Sequence, residues 1–196
     1  MSQQPPWDAF YEKAKSRRHN PKTEQALKHN QSHYQVAIDA GCGVGADTRY
    51  LLTQGYSVHA FDNNDKAISM CSELTPESPF IEFTLASFEH FDYPSCGVFV
   101  ANSSLFFADQ QHFESLWQKI TDSIVSGGVF AGDFLGETDS WVVNGRSDVM
   151  GKTRRELETY LAGFEIIEWQ ESAKQGMTLV GHPKYWHTHS IIARKR

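Results

Sequence analysis

The chain has 196 residues, 40% of them hydrophobic, with 18 basic against 24 acidic side chains and a formal charge of −6. That length suits one domain that buries its core without disulfides or structural metals, and the acidic balance argues against the clustered Lys and Arg of a nucleic-acid footprint. Cys42, Cys71 and Cys96 are widely spaced with no C-x-x-C pair, no apolar run reaches bilayer length, and MSQQPPWDAF lacks a charged-then-apolar leader, so a cytoplasmic protein without membrane contact is expected.

In chain order, Trp7, Phe10, Tyr11 and Ala14 fall at helical spacing after Pro5-Pro6. In the plain reading that helix packs on the domain. Asn20-Pro21 marks a turn before a helix over 23–30. Val36, Ala37 and Ile38 are an apolar run suited to a strand covered on both faces, and Gly41, Cys42, Gly43 and Gly45 then let the chain turn and approach a ligand closely. The helix that follows offers unpaired N–H groups at its start. Gly55 punctuates, and 57–61 is the next strand, with Asp62 at its C-terminal end.

A helix near 66–74 stops before Pro76 and Pro79, and 80–84 and 98–101 read as the third and fourth strands. Phe113, Leu116, Trp117, Ile120 and Ile124 follow a helical stripe closed by Gly127-Gly128, and 129–134 is the fifth strand. A helix over 154–162 ends at Gly163. Strands over 164–169 and 186–193 follow, with 177–180 extended and the turn around Gln175-Gly176 and Pro183. So short a connection cannot carry a parallel crossover, and the sheet ends in an antiparallel hairpin.

Strand, glycine turn, helix and acid-ended strand make a nucleotide-cofactor site at the C-terminal edge of a parallel sheet. Gly41, Gly43 and Ala46 match a relaxed dinucleotide fingerprint, with Asp62 where a ribose-binding acid would lie. Asp39, however, gives D-x-G-C-G-x-G. A carboxylate there crowds a pyrophosphate but is welcome beside a cationic sulfonium and an ammonium group.

These residues resemble class I S-adenosylmethionine-dependent methyltransferases. CGVFVANSSLFF from Cys96 is similar to the family's fourth strand and the loop under the cofactor, and SGGVFAGDF from Ser126 to its fifth strand. GDFLGETDSW from Gly132 and the segment from Leu161 to Lys195 resemble small bacterial enzymes grouped with the tellurite-resistance and thiopurine-type methyltransferases. Two departures stand out. Ala86-Ser87-Phe88 replaces the Asp or Asn that usually follows the third strand, and Gly181-His182-Pro183-Lys184-Tyr185-Trp186-His187 stands where relatives read G-E-P-K-H-W-H.

The resemblance implies a Rossmann-like α/β fold: a seven-stranded, mostly parallel sheet with helices on both faces and a C-terminal antiparallel hairpin. A helical cap over 1–34 would precede a cofactor-binding core over 35–196. It implies S-adenosyl-L-methionine as cofactor and a small-molecule methyl acceptor such as a thiol or a metalloid oxyanion, in a monomer or homodimer. Asp39, Gly41, Cys42 and Gly43 are expected to meet the methionine portion, Asp62 and Asn63 the ribose, Ser87 and Phe88 the adenine, and Asn102 and Ser103 the reactive side, and the resemblance implies a second reading of the first helix, a lid over the cofactor with Tyr11 or Arg17 reaching inward. Phe106, Trp141 and Trp186 are expected to wall the acceptor pocket. An NAD(P)-dependent oxidoreductase and a non-catalytic cofactor-binding protein are the alternatives.

His187 and His189 alternate on the last strand and so share a face, with His182 close by. His187 is the candidate general base for an oxygen or nitrogen acceptor, because an imidazole titrates near neutrality. No third ligand stands at a fixed spacing from the pair, and no metal is expected.

Overall fold

The computed structural model describes residues 7–196; the Pro5-Pro6 helix-start signal lies outside them. Seven strands lie in the order β3-β2-β1-β4-β5-β7-β6. They are β1 (Val36–Ala40), β2 (Ser57–Asp62), β3 (Ile81–Leu85), β4 (Cys96–Ala101), β5 (Ile124–Leu135), β6 (Phe164–Met177) and β7 (Pro183–Lys195). The first five pair in parallel, while β7 runs antiparallel to both β5 and β6. This is the seven-stranded, mostly parallel sheet with a terminal antiparallel hairpin.

Alternation along the strands builds two cores, one on each face. Ala37, Val58, Ala60, Val98, Val100, Val129 and Ala131 form one, with Ala26 from helix α2 (Pro21–His29) and Leu51 from helix α3 (Ala46–Thr53). Ile38, Phe61, Phe99, Phe130 and Phe134 form the other. It is covered by Phe113, Leu116, Trp117 and Ile120 of helix α5 (Phe113–Ser123) and by Leu157 of helix α7 (Arg154–Tyr160). Helix α1 (Trp7–Ala14) packs Tyr11 and Ala14 against Val44 and against Ala67 and Met70 of helix α4 (Asp65–Leu74).

Helix starts follow their caps. Asn20 accepts from Lys22 N before α2, Asn64 accepts from Lys66 N and Ala67 N before α4, and Thr153 with Glu156 makes a capping box before α7.

Three local expectations are corrected, and two short elements are added. Helix α5 ends at Ser123 and not at the glycines, because Ile124 is already extended and pairs with Cys96. Gln175 and Gly176 lie inside β6 opposite Tyr185 and Lys184, and the reversal is at 178–182, where Thr178 N donates to His182 O at 2.8 Å. Gly176 is there for space: a Cβ would lie 3.0 Å from Trp186 Cδ1. β6 runs eight residues beyond Trp169, through a polar, largely exposed stretch with little apolar alternation to mark it. A 3-10 turn at Leu105–Phe107 and helix α6 (Ser140–Val143) carried no periodic signal short enough to read.

Candidate active site

The strand order reverses between β1 and β4, and a cavity of ≈ 450 Å³ opens there at the C-terminal edge of the parallel strands. Its floor is the glycine turn. Gly41 N and Cys42 N donate to Phe61 O at 2.8 and 2.9 Å, and Gly43 N donates to Asp62 Oδ2 at 3.0 Å, so these amides are spent in tying β1 to β2. Gly41, Gly43 and Gly45 all have positive φ. A Cβ on Gly41 would lie 2.5 Å from Ser104 Cβ, whereas one on Gly43 meets nothing within 4 Å. Gly43→Ala is therefore expected to cost only the backbone penalty, about 1–2 kcal/mol, and to obstruct a ligand over the turn. Gly41→Ala adds an overpacking cost of about 1–3 kcal/mol. Denaturant unfolding of the two variants checks that order.

Asp39 is 3% exposed and faces this cavity. Its Oδ2 accepts from Thr48 Oγ1 at 2.6 Å, and no cation among the described residues pairs with it. Burial, with Asp47 nearby, pushes its carboxyl well above the usual carboxylate range. Asp62 is also raised by burial, against the pull of backbone N–H groups: Oδ1 accepts from Asn64 N at 3.0 Å and Oδ2 from Gly43 N. Its carboxylate thus clamps the turn, and each oxygen keeps lone-pair capacity for a further donor.

On the opposite wall, Asn102 Nδ2 donates to Thr23 Oγ1 at 2.9 Å and to Asp47 Oδ2 at 3.0 Å, while its Oδ1 is buried without a partner. Ser103 is held at φ 56, a costly conformation for a residue with a Cβ, by its N–H bond to Asp133 Oδ2 at 2.9 Å. Lys22 pairs with Asp133 in turn and fixes α2 to β5. Phe61 and Phe88 meet edge-on at 5.4 Å as an apolar wall, and Ser87 Oγ lies 2.9 Å from His90 Nδ1. Helix α1 closes the top with Trp7, Phe10, Tyr11 and Ala14. Burial and the nearby Asp62 raise the Tyr11 hydroxyl, keeping it protonated. Of the two readings of this helix, the cavity-covering one describes where it lies.

Every residue expected at the cofactor therefore lines one cavity: Tyr11, Asp39, Gly41, Cys42, Gly43, Asp62, Asn63, Ser87, Phe88, Asn102 and Ser103. The other four site residues are not among those that line it. Phe106 is 3% exposed and packs with Leu135 and Val149; the 3-10 turn rotates its neighbour Phe107 to the cavity instead. Trp141 and Trp186 flank the Lys184 ammonium at 4.4 and 3.8 Å, behind that wall. His187 lies between Thr138 and Glu171, 2.7 Å from Thr138 Oγ1 and 3.1 Å from Glu171 Oε1, and lines no part of the cavity. The imidazole that does is His19, stacked on Tyr50 at 3.6 Å. Arg17, Arg18, Asp47 and Asp148 complete the rim, and Arg146 Nη2 holds Asp148 at 2.7 Å.

Residues 38–132 match the family described as a methyltransferase domain. The chain is similar in structure to TehB from Haemophilus influenzae, at 19% identity and a TM-score of 0.77, covering 96% of this chain and 66% of TehB. It is also similar to the 1,6-didemethyltoxoflavin-N1-methyltransferase of Burkholderia thailandensis, solved with 1,6-didemethyltoxoflavin and S-adenosylhomocysteine (20% identity, TM-score 0.66, 96% of this chain and 81% of that one). A third similar structure is the magnesium protoporphyrin IX methyltransferase of Synechocystis PCC 6803, solved with S-adenosylmethionine (11% identity, TM-score 0.69, 97% and 91%). No curated protein matches the chain in sequence. Its fold is that of the S-adenosylmethionine-dependent methyltransferases. No helix among the described residues is long and apolar enough to cross a membrane.

Proposed function

We propose that this methyltransferase moves a methyl group from S-adenosylmethionine to a small acceptor, a thiol, a metalloid oxyanion or a comparable molecule, in the cytoplasm. One observation carries the choice of cofactor: Asp39 is a buried carboxylate that faces the cavity with no cation paired to it among the described residues. A buried charge of this kind is unfavourable until an opposite charge arrives, and a pyrophosphate would make it worse. The unpartnered Asn102 Oδ1 is a second acceptor waiting for a donor. The open space above Gly43 and the Phe61–Phe88 wall accommodate an extended ligand with one polar and one aromatic end.

When bound, the cofactor supplies an electrophilic methyl group on a sulfonium. Asp39 and Asn102 hold its cationic end, Asp62 and Asn63 take ribose hydroxyls, and Phe88 with Ser87 receives the adenine. Helix α1 keeps water out through Trp7, Phe10 and Tyr11, which matters because alignment and water exclusion are what an in-line displacement needs from a protein. Arg17 and Arg18 line the mouth without a carboxylate partner among the described residues, which supports an anionic acceptor. His187 has no part in this site, so a thiolate or an oxyanion, which needs no general base, fits better than a protonated alcohol.

Calorimetric titration with S-adenosylmethionine, S-adenosylhomocysteine and NADH tests the reading. The first two are expected to bind and NADH is not; NADH binding alone would overturn it. A panel of thiols, metalloid oxyanions and small carboxylates then reads turnover. Cofactor binding with no methylation across that panel would favour a protein that binds the cofactor and has lost catalysis.

A further inference from the structure

We propose that Glu171, His187 and His189 form a binding site for a divalent transition-metal ion, with zinc as the best match, on the terminal hairpin and apart from the methyl-transfer cavity. The two histidines alternate on β7, and the third ligand comes from β6: Glu171 is the direct cross-strand partner of His189, and Ala173 that of His187. Directly paired and alternate residues share a sheet face. One ligand atom from each residue lies within 4.8 Å of the others. Bonds of about 2.0–2.1 Å at the tetrahedral angle require ligand atoms about 3.3 Å apart. Here His187 Nε2 is 3.1 Å from Glu171 Oε1 and His189 Nδ1 is 3.8 Å from Glu171 Oε2, and with every ligand atom within 4.8 Å of the others the set closes by side-chain shifts of up to about 1.5 Å, not by a rebuilt hairpin.

The surroundings suit ligation. His187 Nδ1 accepts from Thr138 N at 3.3 Å and lies 2.7 Å from Thr138 Oγ1, which orients the ring with Nε2 toward the cluster; ligation through Nε2 moves the ring proton to Nδ1, where Thr138 Oγ1 accepts it. A Cβ on Gly136 would lie 2.3 Å from the same ring, so the glycine leaves the room in which His187 is seated. His189 is 1% exposed, and its Nε2 has no partner in the protein. Its Nδ1 accepts from Trp169 Nε1 at 3.2 Å, a contact the half-buried indole can exchange for water when the lone pair is taken. Arg154 Nη1 now meets Glu171 Oε2 at 3.2 Å; it also meets Glu158 at 3.2 Å and stacks on Trp169 at 4.4 Å, so it keeps partners when the carboxylate turns to a metal. Two imidazoles and one carboxylate are a donor set suited to zinc, and the exposed side of Glu171 leaves a fourth position to water.

The test uses tag-free protein, dialysed against a chelator and then titrated with Zn²⁺ by calorimetry and with Co²⁺ by visible spectroscopy. One saturable equivalent per chain is expected, with a rise in melting temperature and cobalt ligand-field bands that lack a sulfur charge-transfer band. Glu171→Gln, at a half-exposed position that leaves metal-free stability near wild type, is expected to weaken zinc at least about tenfold. Absence of saturable binding, affinity unchanged in Glu171→Gln, or a sulfur charge-transfer band placing the metal on Cys42 and Cys71 would each overturn the assignment.

Discussion

Replacing Asp39 by Asn is expected to weaken S-adenosylmethionine and S-adenosylhomocysteine by about 10–100-fold while making the ligand-free protein more stable near neutral pH. The affinity loss follows from removing a charge-assisted contact to an ammonium group, worth about 1.5–3 kcal/mol. The stability gain follows from the pKa. Burial raises the folded-state value of Asp39 above the unfolded value of about 3.9. The contribution of this group to stability is therefore complete below the unfolded value and is lost as pH rises through the folded one. Asn carries no charge at any of these pH values and keeps an acceptor for Thr48 Oγ1, so it avoids that loss. Each kcal/mol relieved should raise the melting temperature by about 2–4 °C for a chain of this size, and the gap between variant and wild type should close as pH is lowered. By the same linkage, wild-type affinity for the cationic ligand should fall on acidification earlier than an ordinary carboxylate would dictate. 5′-Methylthioadenosine, which lacks the amino-acid portion, should bind both proteins alike. Equal loss of that ligand would mean that the substitution damaged the cavity and not its charge.

The largest effect on the fold is expected at the buried pair Lys184–Asp139. Asp139 is fully buried and Lys184 is 3% exposed; the carboxylate also accepts from Trp141 N at 3.0 Å and His187 N at 3.1 Å. It joins the loop after β5 to the start of β7, while Trp141 and Trp186 shield the ammonium from water. Burial depresses the Lys184 pKa and the Asp139 charge opposes that depression. Asp139→Asn keeps an acceptor for only one of the two backbone N–H groups, which the carboxylate receives on different oxygens, and it strands a buried ammonium, at a cost of about 3–5 kcal/mol. The double variant Asp139→Asn with Lys184→Met removes the stranded charge and fills the space between the indoles with a flexible apolar chain. It is expected to recover the part of the loss that comes from the stranded charge, read as denaturant midpoints at constant m-value. A wild-type midpoint in the single variant would show that the ion pair contributes nothing to stability.

The histidine pair illustrates what a pattern can and cannot say. Alternation along β7 was enough to put His187 and His189 on one face. It could not say which face, because that depends on how β7 seats between β5 and β6, and the odd-numbered positions of β7 face the α5–α7 layer with Ile191 and Ala193. Glu171 was invisible as their neighbour for the same reason, since cross-strand register is set by pairing and not by spacing. Trp141 and Trp186 are comparable: aromatic identity marked them, yet the buried Lys184 between them decides that they shield an ion pair behind the cavity wall.

Local physics, by contrast, was fully written in 36–62. An apolar run, three left-handed glycines and an acid at the end of the next strand act over a few residues, so their geometry survives whatever the rest of the chain does. The same is true of the short final connection, which forces an antiparallel hairpin. The sequence by itself therefore determined the fold class, the position of the cavity at the sheet edge and the cation-accepting character that Asp39 brings to it. The tertiary structure alone decided which distant residues complete that cavity, with Phe107, His19 and Asp148 brought in and His187 kept out, because those contacts join elements whose relative placement comes from packing two cores on a shared sheet.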